Sequence, residues 1–236
     1  MRVGLAASLA VAGLVALALV YAGPAPYAAL ARGNGFERNV FHVPARALTQ
    51  REVRYDLATL VALHEWTLRY VLDVFGATAL PRDPTIGDPL FTGDEQAHLD
   101  DVRRVFAALR ALAAAAVVAA AAVLLLAWRR GPTAILRLAR DSALVAAIGV
   151  AGVGAIAAVA FEPAFLAFHR VFFPQGNFLF GEDSNLLALY PEAYWYGVTV
   201  RIAVAFIVGA GMAAAFAHLA LRALRERSGS AIVRSP

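Results

Sequence analysis

The 236 residues are 61% hydrophobic and only 16% charged, a balance that sets the chain among membrane proteins rather than ordinary soluble domains. Cysteine is absent, so disulfide frameworks, thiol nucleophiles and thiolate metal sites are excluded. The formal net charge is +4 and every basic side chain is arginine; the positions of those arginines read as topology and leaflet contact, not nucleic-acid binding.

Four apolar runs are long enough to cross a hydrocarbon core, which takes about 20 residues. They are Val3–Tyr21, Phe106–Trp128, Ser142–Phe161 and Ile202–Leu221. The expected fold is therefore an all-α membrane protein of four transmembrane helices with an extracytoplasmic, mainly helical cap. Residues 1–21 form the first span. Arg2 and the small residues near Ala22–Ala28 also resemble a cleaved signal peptide, but the apolar run exceeds the usual h-region of about 7–15 residues, so a retained span is expected.

Residues 22–92 are too many for a simple connector and are expected to form the cap. The clearest element there begins at the capping box Thr49-Gln-Arg-Glu52. Leu57, Leu60, Val61, His64, Leu68, Val71, Leu72 and Phe75 then recur at helical spacing, and Gly76 ends the run. The stretch Asn34–Val43 carries a weak strand signal, which a short strand pair would explain, and Asp83–Pro89 reads as turn and loop.

A second capping box, Thr92-Gly-Asp-Glu95, opens the helix over residues 93–128. At 1.5 Å per residue this helix is about 54 Å long, whereas the hydrocarbon core is only about 30 Å thick, so its first turns must project from it. His98 lies in that projection. Asp94 and Asp101 stand four before and three after it, on its face, where they could orient the ring; acids at a helix start are also favoured by the dipole alone.

Residues 129–141 form a loop with Arg129, Arg130, Arg137 and Arg140, and the tail 222–236 carries Arg222, Arg225, Arg227 and Arg234. Both belong inside, as does Arg2. The loop 162–201 between the spans 142–161 and 202–221 is acid-rich and belongs outside, giving N-in, C-in topology. In that loop Pro163 suits the first turn of a short helix and Pro174 stops it. Phe165, Phe168, Phe172 and Phe173 surround His169, followed by Phe178, Phe180, Tyr190, Tyr194, Trp195 and Tyr196. An aromatic belt at the interface is routine, but it does not account for a histidine among so many apolar neighbours.

His98 and His169 come from different helices at one membrane face, and two imidazoles can share acid–base work near neutral pH. The other histidines carry less: His64 lies on the apolar face of the cap helix as a packed core residue, His42 is expected to be solvated, and His218 sits near the inner end of the fourth span. Ser184, with Asp183 and Glu182, lacks a nucleophile elbow, and His98, Asp101 and His169 lack any zincin-type spacing, so no metal site is expected.

The two outer motifs, Phe91-Thr-x-x-Glu95-x-x-His98-Leu-x-Asp101-Val-Arg and Phe168-His169-x-x-Phe172-Phe173-Pro174-x-Gly-Asn-Phe178-x-Phe180 with Leu189-Tyr190-Pro191-Glu192, resemble the lipoprotein intramolecular transacylase family of bacterial integral membrane proteins. The resemblance extends to four spans with a cap after the first; Phe178 stands where a Trp is expected. It implies transfer of the sn-2 acyl chain of a diacylglyceryl-cysteine lipoprotein onto that lipoprotein's own N-terminal amine, giving a lyso-form N-acyl product. It implies catalysis by His98 and His169, no acyl-enzyme and no cofactor, with bacterial lipoproteins and membrane lipid as partners. Asp101, Asp94, Phe168, Phe172, Phe173, Asn177, Phe178 and Trp195 become expected orienting or pocket residues. Backbone amides and Asn177 are candidates for oxyanion stabilisation. The competing readings are a lipid or lipoprotein ester hydrolase using the same histidines and a non-enzymatic scaffold or assembly factor; a transporter is disfavoured by the few charges within the spans.

Overall fold

The computed structural model describes residues 1–44, 50–76, 78–84 and 87–233. Eight α-helices occur among them: α1 Arg2–Tyr21, α2 Pro24–Asn34, α3 Leu57–Val71, α4 Gly93–Trp128, α5 Pro132–Val159, α6 Phe161–Phe172, α7 Asn185–Leu189 and α8 Glu192–Val233. Two strands, β1 Phe41–Pro44 and β2 Gln50–Val53, pair antiparallel with Phe41 opposite Val53 and His42 opposite Glu52. α1, α4, α5 and α8 are each long and apolar enough to cross a membrane. The chain divides into two compact units.

The first unit comprises Met1–Leu17, Arg110–Ala155 and the residues from Arg201 onward. Leu5, Ala127 and Leu138 form one buried cluster in it, and Ala6, Ala146 and Phe206 another. A Cβ on Gly13 would lie 2.7 Å from the Phe206 ring, so the missing side chain is what lets that ring sit against α1. Asp141 pairs with Arg2 at 3.2 Å, and the Ser142 hydroxyl donates to the Arg2 carbonyl at 3.1 Å. Val118, Ile148, Val153, Met212 and Phe216 point outward and are more than two-thirds exposed. Such a surface is untenable in water and suits lipid tails.

The second unit, Ala18–Leu109 with Ile156–Val200, carries every residue of interest for chemistry. The start of α3 is capped by Asp56, whose side chain accepts from the Thr59 amide at 2.8 Å. His64 is buried in α3, stacked on Tyr27 of α2 at 4.1 Å between ring centroids. Its Nε2 meets the Ala22 carbonyl at 2.9 Å and its Nδ1 the Tyr190 hydroxyl at 3.1 Å. The carbonyl fixes the proton on Nε2, so Nδ1 accepts. Burial pushes this imidazole down to about 4. The Tyr27 hydroxyl donates to the Leu189 carbonyl at 3.0 Å, so α2, α3 and the α7 segment are tied at one polar-edged aromatic cluster.

Several local expectations change. Residues 50–53 are strand, not the first turn of a helix, and Asp56 caps α3; Thr49 lies outside the described residues. The helical pattern read to Phe75 ends at Val71, where Asp73 takes a positive φ of 55° and a 3₁₀ turn follows. The arginine-bearing stretch expected as a loop over 129–141 is mostly helix, because Pro132 sits well at the first position of α5. α2 and α7 have no counterpart in the sequence reading. His42 is half-buried, with its Nδ1 lacking a hydrogen-bond partner, rather than solvated.

Candidate active site

The first outer motif starts α4 through the expected capping box. The Thr92 hydroxyl accepts from the Glu95 amide at 3.3 Å, and Glu95 Oε2 accepts from the Thr92 amide at 2.8 Å. Glu95 is only 1% exposed and does more than cap. Its Oε1 accepts from the Ser184 hydroxyl at 2.6 Å and from the Leu186 amide at 2.8 Å, latching the start of α7 onto α4. Asn185, between those two donors, is bound to β1, where its Oδ1 accepts from the His42 amide at 2.7 Å, and to the stretch before α4, where its Nδ2 donates to the Leu90 carbonyl at 2.6 Å. Both polar side chains are buried because every group on them finds a partner.

One turn beyond Glu95, His98 faces inward. His169 lies in the last turns of α6, where its Nδ1 stands 2.8 Å from the Phe165 carbonyl four residues earlier. A carbonyl accepts only, so in the neutral ring the proton belongs on Nδ1 and Nε2 presents a lone pair. The structure brings the two imidazoles together: their centroids are 6.1 Å apart and their planes 19° apart. No hydrogen bond joins them among the described residues.

Aromatic rings enclose the pair. Phe173, nearly buried, lies 4.7 Å from His98 and 5.4 Å from His169. Phe180 is 5.5 Å from His98, while Phe165 and Phe178 are 4.1 and 5.2 Å from His169. Phe168 meets His169 edge-on at 5.4 Å. Phe172 and Trp195 stand one layer back, against Phe168 and Phe165 respectively. Phe165 and Phe180 are thus closer to the histidines than two of the expected pocket residues. The i−4 spacing of Phe165 from His169 on one helix face is the signal that could have identified it.

Burial disfavours charge on both rings. His98 is pushed down to about 4, by desolvation first and by the charge of His169 second, and His169 is lowered by desolvation. The nearby Asn177 oxygen, which can accept from the ring, opposes the effect at His98. Asp101 is buried and serves as the hub of this wall. Its Oδ1 accepts from Arg104, and its Oδ2 accepts from Gln175 and, at 2.7 Å, from the Asn177 amide nitrogen. With that nitrogen turned to Asp101, Asn177 directs its carbonyl oxygen elsewhere, and this Oδ1 and His98 Nδ1 are two buried atoms with no partner of full hydrogen-bond geometry. Asp101 thus holds Asn177 by its nitrogen and makes no direct bond to His98, which leaves the Asn177 oxygen as an acceptor beside that ring. Asp94 is exposed, which leaves it the dipole role of an acid at a helix start. Among the described residues, no group of three or more His, Asp or Glu side chains could hold a metal ion.

Comparison with known proteins places the chain in a family. No curated protein matches the chain. Residues 39–195 match the family described as Lipoprotein intramolecular transacylase Lit. In fold, the chain is similar to the membrane-integral lipoprotein intramolecular transacylase Lit of Bacillus cereus, with a TM-score of 0.67 at 12% identity over 96% of each chain. A histidine-to-arginine variant of the same Bacillus cereus enzyme aligns with a TM-score of 0.61 at 14% identity, over 97% of this chain and 93% of the other. The family match covers more than half the sequence and spans both histidine motifs. The chain belongs to the lipoprotein intramolecular transacylase family, a family of membrane-integral enzymes.

Proposed function

We propose that this protein moves the sn-2 acyl chain of a diacylglyceryl-cysteine lipoprotein onto that lipoprotein's own N-terminal amine, with His98 and His169 as the acid–base pair. The observation that carries the reading is the pair itself: two imidazoles on different helices, 6.1 Å apart, unlinked to each other and walled by phenylalanine. The arginine bias of the connections and tail supports a topology with both termini inside and the pair at the extracytoplasmic face. The substrate is then a lipid-anchored protein in that leaflet.

The proton balance suits two bases. An α-amino group has a pKa of about 7.7–8, so it arrives largely as an ammonium and must shed two protons to become an amide. His169, whose Nε2 lone pair is free, takes the first and uncovers the nucleophile. As the nitrogen attacks the ester carbonyl, His98 takes the second. The new imidazolium is stabilised by the Asn177 oxygen with Asp101 behind it. The carbon–oxygen bond to the glyceryl sn-2 position then breaks, and His169 returns its proton to the departing oxygen. His98 releases its proton to water, closing the balance. Because nucleophile and ester belong to one molecule, holding them in a cyclic geometry supplies much of the acceleration; effective molarities of oriented reactions correspond to roughly 7–11 kcal/mol. The phenylalanines exclude the water that would otherwise hydrolyse the ester.

Tandem mass spectrometry of a reporter lipoprotein's N-terminal lipopeptide tests this, using cells lacking other N-acylating enzymes. An N-acyl, monoacylglyceryl peptide that appears only with this protein supports the proposal. An unchanged diacylglyceryl peptide, or one deacylated without N-acylation, refutes it.

A further inference from the structure

We infer that a cavity beside the histidine pair holds the first residues of the polypeptide that follows the lipidated cysteine. The inference rests on the proposed function and extends it to a part of the substrate that does not react. The cavity measures about 450 Å³, within the range of small-molecule and peptide sites. Neither histidine lines it. Its wall begins immediately beside them, at Ala97 and Asp101 on α4 and at Gln175 and Asn177 just past α6.

The lining selects the occupant. Asp100, Asp101, Arg104, Gln175 and Asn177 are polar, and only Ala97, Val105 and Phe172 are not. An acyl chain would strip water from two carboxylates, a guanidinium and two amides, whose bonds to one another satisfy only part of their capacity, so the cavity does not suit the migrating chain. A phosphate headgroup would meet two carboxylates and a single guanidinium that is already paired with Asp101, so an anion is disfavoured too. An extended peptide presents donors and acceptors alternately and needs both. Beyond their bonds to Asp101, the Gln175 amide keeps a second N–H and its carbonyl oxygen, the Asn177 amide a second N–H, and the Arg104 guanidinium further N–H groups, so the wall supplies both. The Arg104 side chain is 75% exposed, so the cavity opens toward solvent, where the rest of a lipoprotein must go. Substrate geometry agrees. The amine that reacts between the imidazoles and the carbonyl that begins the polypeptide share one cysteine, so the peptide has to leave within a few bonds of the pair.

The test uses the full-length protein in lipid-containing micelles and two substrates. One is a diacylglyceryl-cysteine amide with no further residue; the other is a diacylglyceryl lipopeptide with a benzophenone amino acid directly after the cysteine. Irradiation of the lipopeptide should crosslink it within residues 97–105 or 172–177, both in the wild type and in His169→Ala. In turnover assays, Ala97→Phe and Gln175→Leu should each lower the kcat/KM ratio of lipopeptide over cysteine amide by about tenfold, mainly through KM. Crosslinks confined to other segments, or a ratio unchanged in both variants, would overturn the inference. A wild type that crosslinks as expected but converts neither substrate would support the peptide site while refuting the proposed reaction.

Discussion

Replacing Glu95 gives a sharp test of how the site is held. Its carboxylate takes four donors: the Thr92 amide and hydroxyl on one oxygen, and the Ser184 hydroxyl and Leu186 amide on the other. Hydroxyls can rotate to new partners, but the two backbone amides cannot. Glu95→Ala strands both, at about 1–3 kcal/mol each, so the loss should be about 2–6 kcal/mol. Glu95→Gln keeps the shape yet must point its NH₂ at one of the two amides whichever way it is turned, so it should cost about 1–3 kcal/mol. For a chain of this size, thermal shift in detergent should fall by roughly 2–4 °C per kcal/mol. A double-mutant cycle with Ser184→Ala should show coupling of about 0.5–3 kcal/mol, since the two side chains touch. A Glu95→Gln protein with wild-type melting and no coupling to Ser184 would refute the latch.

Three further outcomes follow from the geometry. Asn177→Leu removes the acceptor between Asp101 and His98 and should lower kcat by about 10–100-fold. Its hydrogen bond favours the charged imidazole, so the acid limb of the kcat–pH profile should move to lower pH; a shift upward would contradict the arrangement. Phe173→Ala opens the ring packed against both histidines, and product analysis should show free fatty acid rising relative to N-acyl lipopeptide. An unaltered product ratio would argue that this ring excludes no water. His64, held neutral by burial, binds its proton only near pH 4 when folded but at about 6.5 when unfolded. The unfolded state therefore takes up protons first as pH falls, and stability should drop between pH 6.5 and 4 by up to about 3 kcal/mol. His64→Gln should flatten that slope in melting curves recorded across the range.

The sequence was most readable where one physical signal acted alone. Four long apolar runs could only be spans, and Thr92 and Glu95 formed the capping box their spacing foretold. It was least readable where local signals competed. Thr49-x-x-Glu52 carries the letters of a cap, but residues 50–53 pair with Phe41–Pro44 instead, and Asp56 caps the helix. Tertiary pairing overrode local propensity there. α7 has only five residues, too short for any periodicity, and its first turn is satisfied by the Ser184 cap on the Leu187 amide and by Glu95 on the Leu186 amide. The histidines could be named from their motifs, but their approach to 6.1 Å depends on packing that no spacing along the chain encodes. Likewise the side chains at 101 and 177 are 76 residues apart, so their hydrogen bond was invisible before folding brought them together.

The central claim is that His98 and His169 share the proton transfers. The most direct measurement is single-turnover conversion of a purified diacylglyceryl lipopeptide, followed by mass spectrometry, with the wild type, His98→Gln and His169→Gln at matched folding. Each single variant should lose about 10²–10⁴-fold in rate, with the double variant little worse than either, because the two rings act as a unit. Wild-type N-acylation by either single variant would contradict the claim.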